Sequence, residues 1–304
     1  MKATPLVSVI MPSYDHEKYV GDAIDSILNQ TYSNFEFIII DDHSLDNSFE
    51  IISEKTAMDN RIKVIQNPKN LGIANTMNIG IEAAKGEFVL GISSDDVWEP
   101  DAIETLVKAA LSCGNSCTIV WSDALVIDEN GKIVSNSFLQ RFGMSNRKNS
   151  GNLFHSLLKG NYIIGQTRLV PSKILKEVKY EPSLVYLNDY YTNLCLSSQC
   201  DYNFIAERKL ARYRIHGLNS ILRDSVIWLL DDFNTKKLIL TNFLDQLTLK
   251  EKIDLNLRMW VLFLLITRKK KLFEFREFLS CVKITLGTYC REFRAKEPGL
   301  FKMN

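Results

Sequence analysis

Short apolar runs alternate with helical patterns through the first half of the chain. Segments 7–11, 35–40 and 88–92 are continuous apolar runs, typical of strands buried on both faces of a parallel sheet, and 62–65 predicts a further strand. Between them, apolar residues recur at helical spacing in segments 20–28, 48–57 and 73–84, and Pro100 opens a fourth helix. This alternation predicts an α/β fold, with a Rossmann-like, mostly parallel sheet flanked by helices.

The second half of the chain is less regular. Apolar runs predict strands at 119–127 and 210–215, a returning strand at 133–134, and short helices at 153–158, 173–178 and 188–198. Segment 135–151 is rich in Ser, Asn and Gly, which predicts a mobile loop. From Ser225 the pattern is helical, with almost no glycine or proline until Gly287. We therefore expect one α/β catalytic domain over residues 1–222 and a helical C-terminal extension over 223–304.

Composition narrows the class of protein. The 304 residues are 46% hydrophobic and 24% charged, as in globular proteins, and a net charge of +1 argues against a nucleic-acid binder. The six cysteines form no CxxC pair, no signal peptide is evident, and the longest apolar run, 259–266, is far short of the ~20 residues that span a bilayer. These features predict free thiols and a cytoplasmic location.

The informative polar residues follow the predicted strands. Segments 12–15, 41–46 and 93–96 come directly after the first, second and fourth strands, at the sheet edge where ligands bind in doubly wound folds. The first strand is not followed by a Gly-x-Gly-x-x-Gly motif, and the sequence contains no phosphate-binding P-loop motif. A dinucleotide cofactor and P-loop chemistry are therefore disfavoured.

Several collinear stretches resemble family 2 glycosyltransferases of the GT-A fold. They are VSVIMPSYDHEKYV, SILNQTYSNFEFIIIDDHSLDNS, NLGIANTMNIGIEAAKGEFVLGISSDD, the Asn188–Asp189 pair and YRIHGLNS. Together they cover roughly residues 5–222. The resemblance implies an inverting transfer of a sugar from a nucleotide-diphosphate donor, most simply a UDP-sugar, to a glycan or lipid-linked acceptor in bacterial surface polysaccharide synthesis.

The resemblance also implies a Mn²⁺ or Mg²⁺ cofactor. Asp95 matches the second aspartate of the family's Asp-x-Asp motif, the usual metal ligand, and Asp96 would support the ribose or the metal shell. Ser93 stands where the first aspartate often lies, which is a departure from the pattern. A divalent cation neutralises the charge that develops on a departing diphosphate, and carboxylate oxygens suit such a cation.

Further roles follow from the same resemblance. Asp42 matches the residue that accepts a hydrogen bond from uracil, and Pro12, Ser13 and Tyr14 would line the base and the ribose. Asp189 matches the general base of inverting members, although the family more often has Glu-Asp where this chain has Asn-Asp. His216 matches a histidine that approaches the metal in relatives, and Arg214 is expected to contact phosphate oxygens. His16, His43 and His155 receive no role.

Each of these residues also has a structural interpretation. Asp95 and Asp96 would serve as a helix N-cap, Asp42 as an Asx turn, Asp189 as a carboxylate at a helix N-terminus with Asn188 as its N-cap, and His216 as a packed side chain. Two other functions also stay open. One is a non-catalytic nucleotide- or glycan-binding relative, for which Ser93 is the best support. The other is a sugar nucleotidyltransferase, which normally carries a Gly-rich, Arg-containing loop after its first strand.

The C-terminal extension carries most of the positive charge. Residues 223–304 contain 16 basic and 10 acidic side chains, whereas residues 1–222 contain 21 and 26. Apolar residues at 255–265 and 272–279 flank the basic run 268–271. We expect either helices that pack on the catalytic domain or on a second subunit, or a peripheral contact with the inner face of the membrane.

Overall fold

The computed structural model describes residues 4–114, 117–217 and 225–270. These residues contain nine strands, which we number in chain order: β1 Val7–Ser13, β2 Phe35–Asp41, β3 Ile62–Gln66, β4 Phe88–Gly91, β5 Val97–Trp98, β6 Thr118–Ile127, β7 Ile133–Ser135, β8 Arg168–Pro171 and β9 Asp201–Arg214. Ten α-helices accompany them: α1 Val20–Leu28, α2 Ser48–Met58, α3 Ile73–Ala83, α4 Ala102–Ser112, α5 Phe138–Arg141, α6 Phe154–Leu157, α7 Ser172–Val178, α8 Asn188–Ser197, α9 Ser225–Asn242 and α10 Leu249–Lys270.

The strands form one sheet in the order β3-β2-β1-β4-β8-β6-β9-β5, with β7 paired to β6. Strands β1 to β4 are parallel, and β6 is parallel to β9, whereas β8 is antiparallel to both of its neighbours. A buried core cluster joins apolar side chains of β1 and β2 to the inner faces of α1 and α4. The carboxyl ends of β1, β2 and β4 therefore lie side by side at one edge of the sheet.

Two predicted segments differ from the structure. The last strand begins at Asp201 rather than at 210, because residues 201–205 pair with β6 before a register shift. The segment predicted as a mobile loop contains α5, which Ser137 caps by accepting a hydrogen bond from the Gln140 N–H at 3.0 Å. Phe138 packs against Phe142 and Tyr213, which gives this segment an apolar anchor.

The cysteines correct a further prediction. Cys117 and Cys200 form a disulfide across a sequence separation of 83 residues, so the prediction of free thiols was wrong for this pair. Cys113 and Cys195 are free. The bond joins the chain just before β6 to the chain just before β9, the two strands that pair in parallel.

Chain packing divides the protein into two compact units, Met1–Leu222 and Arg223–Asn304. In the second unit, α10 packs on α9 through a buried stripe of Leu255, Met259, Leu262 and Ile266. Other apolar side chains of α10 are exposed, at positions that follow helical spacing along a different face: Ile253, Leu257, Trp260, Val261, Leu264 and Leu265. Among the described residues, no helix combines the length and apolarity that crossing a bilayer requires. The predicted apolar stretch 272–279 and Lys271 lie outside the described residues.

Candidate active site

The loop that follows β1 is fixed by the loop that follows β2. Asp15 adopts a left-handed backbone conformation, with φ of 52°, which aspartate tolerates better than most residues. Its carboxylate accepts a hydrogen bond from the Leu45 N–H at 2.7 Å. The backbone N–H of His16 donates to the Ser48 hydroxyl at 2.9 Å. The imidazole of His16 is thereby held at the carboxyl edge of the sheet.

Three potential metal ligands meet at this edge. His16, Asp95 and His216 each offer one ligand atom, and these atoms lie within 4.8 Å of one another. Nε2 of His216 is hydrogen-bonded to Oδ2 of Asp95 at 2.9 Å, and Nδ1 of His16 to the Ser94 hydroxyl at 2.8 Å. Asp95 and His216 are 8% and 5% exposed, so the cluster is mostly shielded from water. One carboxylate and two imidazoles form a donor set that fits a divalent transition metal.

Asp96 is bound by protein groups on both carboxylate oxygens. It accepts hydrogen bonds from the Arg214 N–H at 2.8 Å and from the Gln166 amide at 2.7 Å. Burial, followed by the neighbouring charge of Asp95, raises the pKa of the Asp96 carboxyl well above its usual value. Gln166 also donates to the Ser93 hydroxyl at 3.3 Å, so an amide adjoins the position where the family pattern has its first aspartate.

Arg214 is buried and holds the same turn. Its Nε donates to the backbone oxygen of Asp95 at 2.8 Å, and its Nη1 donates to that of Glu129 at 3.2 Å. A longer ion pair of 3.5 Å joins it to Asp22, and its guanidinium lies over the Tyr19 ring. Through these contacts Arg214 stabilises the Asp95–Asp96 turn. Its contact with phosphate oxygens stays a prediction.

The Asp42 carboxylate organises the loop between β3 and α3. It accepts hydrogen bonds from the Asn67 amide at 2.8 Å, the Leu71 N–H at 2.8 Å and the Gly72 N–H at 2.9 Å. Asp42 is 4% exposed. These hydrogen bonds support a structural role for Asp42, whereas its contact with uracil stays a prediction.

The end of β1 contributes the remaining predicted nucleotide contacts. Pro12 and Ser13 are the last residues of the strand, and the half-buried Tyr14 follows them. The Ser13 hydroxyl is buried, and no described residue forms a hydrogen bond with it. A buried hydroxyl without a partner carries a desolvation cost, which a polar ligand group would remove.

Asp189 lies in the first turn of α8. The helix begins at Asn188 with Leu187 at the N-cap, so the prediction of Asn188 as the N-cap was wrong. The half-buried Asp189 carboxylate accepts hydrogen bonds from the Tyr190 N–H at 2.6 Å and the Asn161 amide at 3.2 Å. Desolvation by burial raises the pKa of Asp189, because it disfavours the charged form more than these donors favour it.

Tyr213 interacts electrostatically with three carboxylates of the candidate site. Burial, and then the charges of Asp96, Asp95 and Asp189, raise the pKa of the Tyr213 phenol. The phenol can sense all three charges only if it lies near each of them, since Coulomb interactions fall with distance. The charges of the candidate base and of the Asp95–Asp96 pair therefore both act on one phenol.

His16 was missed by sequence reasoning. It is a single histidine in a polar loop, and its partner His216 is 200 positions away, so neither spacing nor composition marks it. One signal was present, because His16 follows β1 within three residues, at the same sheet edge as Asp95. A search for metal-ligating residues just after every strand of the parallel half would have found it.

The comparisons with known proteins agree with this architecture. Residues 8–178 match the profile of Glycosyl transferase family 2. An uncharacterized glycosyltransferase of Methanocaldococcus jannaschii is 32% identical over 222 residues, which cover 72% of this chain and 73% of that protein. Bacillus subtilis TuaG, named as a teichuronic acid biosynthesis glycosyltransferase, is 38% identical over 116 residues, covering 38% of this chain and 46% of TuaG.

Solved structures give the fold. Residues 1–349 of Staphylococcus aureus TarS, crystallised with UDP, superpose with a TM-score of 0.60 at 20% identity, covering 83% of this chain and 69% of that one. The same TarS segment has also been solved with UDP-GlcNAc, with a TM-score of 0.59. These superpositions show the GT-A fold and confirm the predicted fold class. The chain belongs to glycosyl transferase family 2, as its sequence motifs predicted, and its relatives include proteins of polysaccharide synthesis.

Proposed function

We propose that the chain is an inverting glycosyltransferase that transfers a sugar from a UDP-sugar to a hydroxyl group of a glycan or of a lipid-linked acceptor. The observation that supports this best is the meeting of His16, Asp95 and His216 at one sheet edge. The UDP and UDP-GlcNAc complexes of TarS support a nucleotide-sugar donor.

The donor set favours Mn²⁺ over Mg²⁺ as the cofactor. Mg²⁺ prefers oxygen ligands and retains several water molecules, whereas imidazole nitrogen suits transition metals better. Asp95, His216 and His16 would hold the cation. When bound, it supplies positive charge to the departing diphosphate.

The nucleotide would lie along the ends of β1 and β2. Ser13 offers a buried hydroxyl without a described partner, and Tyr14 offers an aromatic face beside it. Asp42 holds the loop at 67–72 through three accepted hydrogen bonds, which leaves about one carboxylate lone pair for the uracil ring. Asp96 and Arg214 support this site through the turn that carries Asp95.

Asp189 would act as the general base. Its carboxylate takes the proton of the acceptor hydroxyl while the hydroxyl oxygen bonds to the anomeric carbon. The bond from that carbon to the diphosphate oxygen breaks, and UDP leaves with the bonding electron pair. A single displacement of this kind inverts the anomeric configuration. The raised pKa of Asp189 makes it a stronger base than an ordinary aspartate.

The exposed apolar face of α10 supports a peripheral contact with an anionic membrane. Leu257, Trp260 and Val261 are each more than half exposed, and the sequence continues into the basic run 268–271. Apolar side chains enter the interface while basic residues meet anionic head groups. Binding to anionic vesicles that is lost at high salt would support this contact. Indifference to lipid, together with a dimer in analytical ultracentrifugation, would instead assign the face to a homo-oligomer.

We propose a cytoplasmic location at the inner face of the cell membrane. The Cys117–Cys200 disulfide is unusual for a reducing compartment. Alkylation of free thiols in freshly lysed cells would measure how much of this pair is oxidised, and a fully oxidised pair would contradict the cytoplasmic assignment.

A panel of nucleotide sugars tests the proposed activity. We expect release of UDP from one UDP-sugar with Mn²⁺ and none with EDTA. Replacing the base, Asp189→Asn, should lower turnover by ~10²–10⁴-fold with little change in UDP affinity. Asp201→Asn, which changes an exposed carboxylate at the start of β9, is the matched control. Wild-type turnover in Asp189→Asn would remove it as the base, and binding of UDP-sugars without any release would favour a non-catalytic relative.

A further inference from the structure

A chain of hydrogen-bonded polar side chains leads away from Asp189. The Asn161 amide donates to the Asp189 carboxylate at 3.2 Å, and the Asn193 amide donates to the Asn161 oxygen at 3.2 Å. Nη1 of Arg168 in turn donates to the Asn193 oxygen. Asn193 and Arg168 are 0% and 3% exposed, so the contact between them is shielded from water. Three segments of the second half of the chain thus converge behind one carboxylate.

The direction of every bond in this chain is fixed. The Asn161 oxygen also accepts from the Ile163 backbone N–H at 3.2 Å, and a backbone N–H is only a donor. The amide nitrogen of Asn161 must therefore point to Asp189. Arg168 is likewise only a donor, so the Asn193 oxygen faces Arg168 and its nitrogen faces Asn161. The donors all point from the guanidinium toward the carboxylate, an arrangement in which each bond polarises the next.

We propose that Asn161 is a positioning residue that orients Asp189 and, through Asn193, connects its carboxylate to the positive charge of Arg168. This inference rests on the proposed function, since it assigns a purpose to the base. The hydrogen bond from the Asn161 amide stabilises the negative charge of the Asp189 carboxylate. A fixed carboxylate orientation matters because a base must lie within hydrogen-bond reach of the proton that it takes.

Two opposed influences set the proton affinity of Asp189. Burial raises its pKa, whereas the Tyr190 N–H, the Arg168 charge and the Asn161 amide lower it. The charged and titratable groups that interact with Asp189 include Arg168 on β8 and Tyr213 on β9. Burial makes the carboxylate more basic, and the polar chain favours its ionised form, the form that a general base requires.

The rest of the polar chain anchors Arg168. Its Nη2 donates to the Tyr180 hydroxyl at 3.0 Å, and the Tyr202 hydroxyl donates to the backbone oxygen of Asn193 at 3.3 Å. Tyr180 and Tyr202 are both buried. This packing makes Arg168 a poor target for mutation, because its loss would leave several buried groups unpaired. The half-buried Asn161 is the better target.

Asn152 provides a matched control. Its oxygen accepts from the Phe154 N–H two residues on, at 3.1 Å, as the Asn161 oxygen accepts from Ile163. Its amide also donates to α8, to the Ser197 backbone oxygen at 3.0 Å. Asn152 and Asn161 therefore make the same kind of local turn and the same kind of contact with α8, at opposite ends of the helix. Only Asn161 touches a carboxylate.

The pKa of Asp189 can be measured before any donor is known. We would label the aspartate carboxyl carbons with ¹³C in the full chain, titrate them by NMR, and assign the Asp189 signal by its absence in Asp189→Asn. Asn161→Ala should raise the pKa of Asp189, because the mutation removes a hydrogen-bond donor that favours the charged carboxylate. Asn152→Ala should leave it unchanged. An unchanged pKa in Asn161→Ala would overturn the proposal.

Kinetics separate this proposal from the proposed function. The isosteric Asn161→Asp places a second carboxylate against Asp189, and we expect it to lower kcat by at least tenfold without changing the KM for the donor, whereas Asn152→Asp retains activity. If Asp189→Asn is fully active, the assignment of the base fails. If Asp189→Asn is inactive but Asn161→Asp behaves as the wild type, only the role of Asn161 fails.

Discussion

Replacing Asp95 by alanine tests the proposed metal centre directly. The side chain of Asp95 is 12% exposed and pairs with Nε2 of His216 at 2.9 Å. Its removal also takes away the negative charge that raises the pKa of Asp96. The lost hydrogen bond and the relieved repulsion oppose each other, so we expect Asp95→Ala to be nearly as stable as the wild type. Its effect should instead be on metal-dependent UDP binding.

The size of the effect follows from the size of the folding unit. UDP at a hundred times its Kd stabilises the folded state by about 2.7 kcal/mol. The unit Met1–Leu222 has an unfolding entropy of roughly 0.47 kcal/mol/K at ~2.1 cal/mol/K per residue. Dividing the stabilisation by the unfolding entropy gives an increase in Tm of about 6 °C for the wild type with Mn²⁺ and UDP. The part of this increase that depends on Mn²⁺ should vanish in Asp95→Ala.

Differential scanning fluorimetry, with isothermal titration calorimetry for the Kd, measures both quantities. Each variant is studied with UDP and Mn²⁺, and with UDP and EDTA. Asp201→Ala, at an exposed carboxylate, should behave as the wild type. If the wild type binds UDP equally well in Mn²⁺ and in EDTA, or if Asp95→Ala keeps the metal-dependent increase, the proposed role of Asp95 is wrong.

Three further predictions concern the base and the fold. Because burial raises the pKa of Asp189 and a base must be ionised, turnover should fall as the pH decreases, with a midpoint above the pKa of ~3.9 of an ordinary aspartate. Measuring UDP binding at each pH controls for unfolding. A midpoint at or below ~3.9 would contradict this prediction. Gly80→Ala should destabilise the protein by ~1–3 kcal/mol in urea denaturation, because the new Cβ would overlap Ile10 Cγ2 and would lie 2.8 Å from Ile40 Cδ1. A stabilisation, as helix propensity alone predicts, would refute the steric argument. Cys117→Ser should lower the free energy of unfolding by about 2–4 kcal/mol, and reduction of the wild type should abolish the difference in stability between the two proteins. Equal stability before reduction would show that the Cys117–Cys200 bond does not constrain the unfolded chain.

The parallel half of the fold was predictable because its central strands, β1 and β2, are buried almost throughout. Continuous apolar runs located β1, β2, β3 and β4 to within two residues at each end. β5 and β8 were missed, since they have two and four residues and are recognisable only through their antiparallel partners. The first residues of β9 were missed because segment 201–205 becomes a strand by pairing with β6 rather than by its own pattern.

The candidate site was predictable where a motif is local in sequence. Asp95 and Asp96 follow a strand, and their position indicated the proposed metal site. The contact of Asp95 with His216 spans 121 residues, and the polar chain behind Asp189 joins residues as far apart as 161 and 193, so neither has a local signal. The resemblance to a family supplied His216, but it gave no information on His16 or Asn161, because these roles depend on the side chains opposite them.

The hydrogen bonds between the loops after β1 and β2 have an entropic consequence. Besides the contacts of Asp15 and His16, the Glu17 N–H donates to the Asp46 carboxylate at 2.9 Å, and the Glu17 carboxylate accepts from the Asn47 amide at 2.8 Å. A flexible loop would lose its conformational freedom each time a ligand ordered it, at a cost in affinity. Here the ordering takes place once, when the chain folds. Segment 44–48 contains none of the three clustered ligands. Substitutions in it would nevertheless weaken binding of the proposed metal, because they would restore motion to His16.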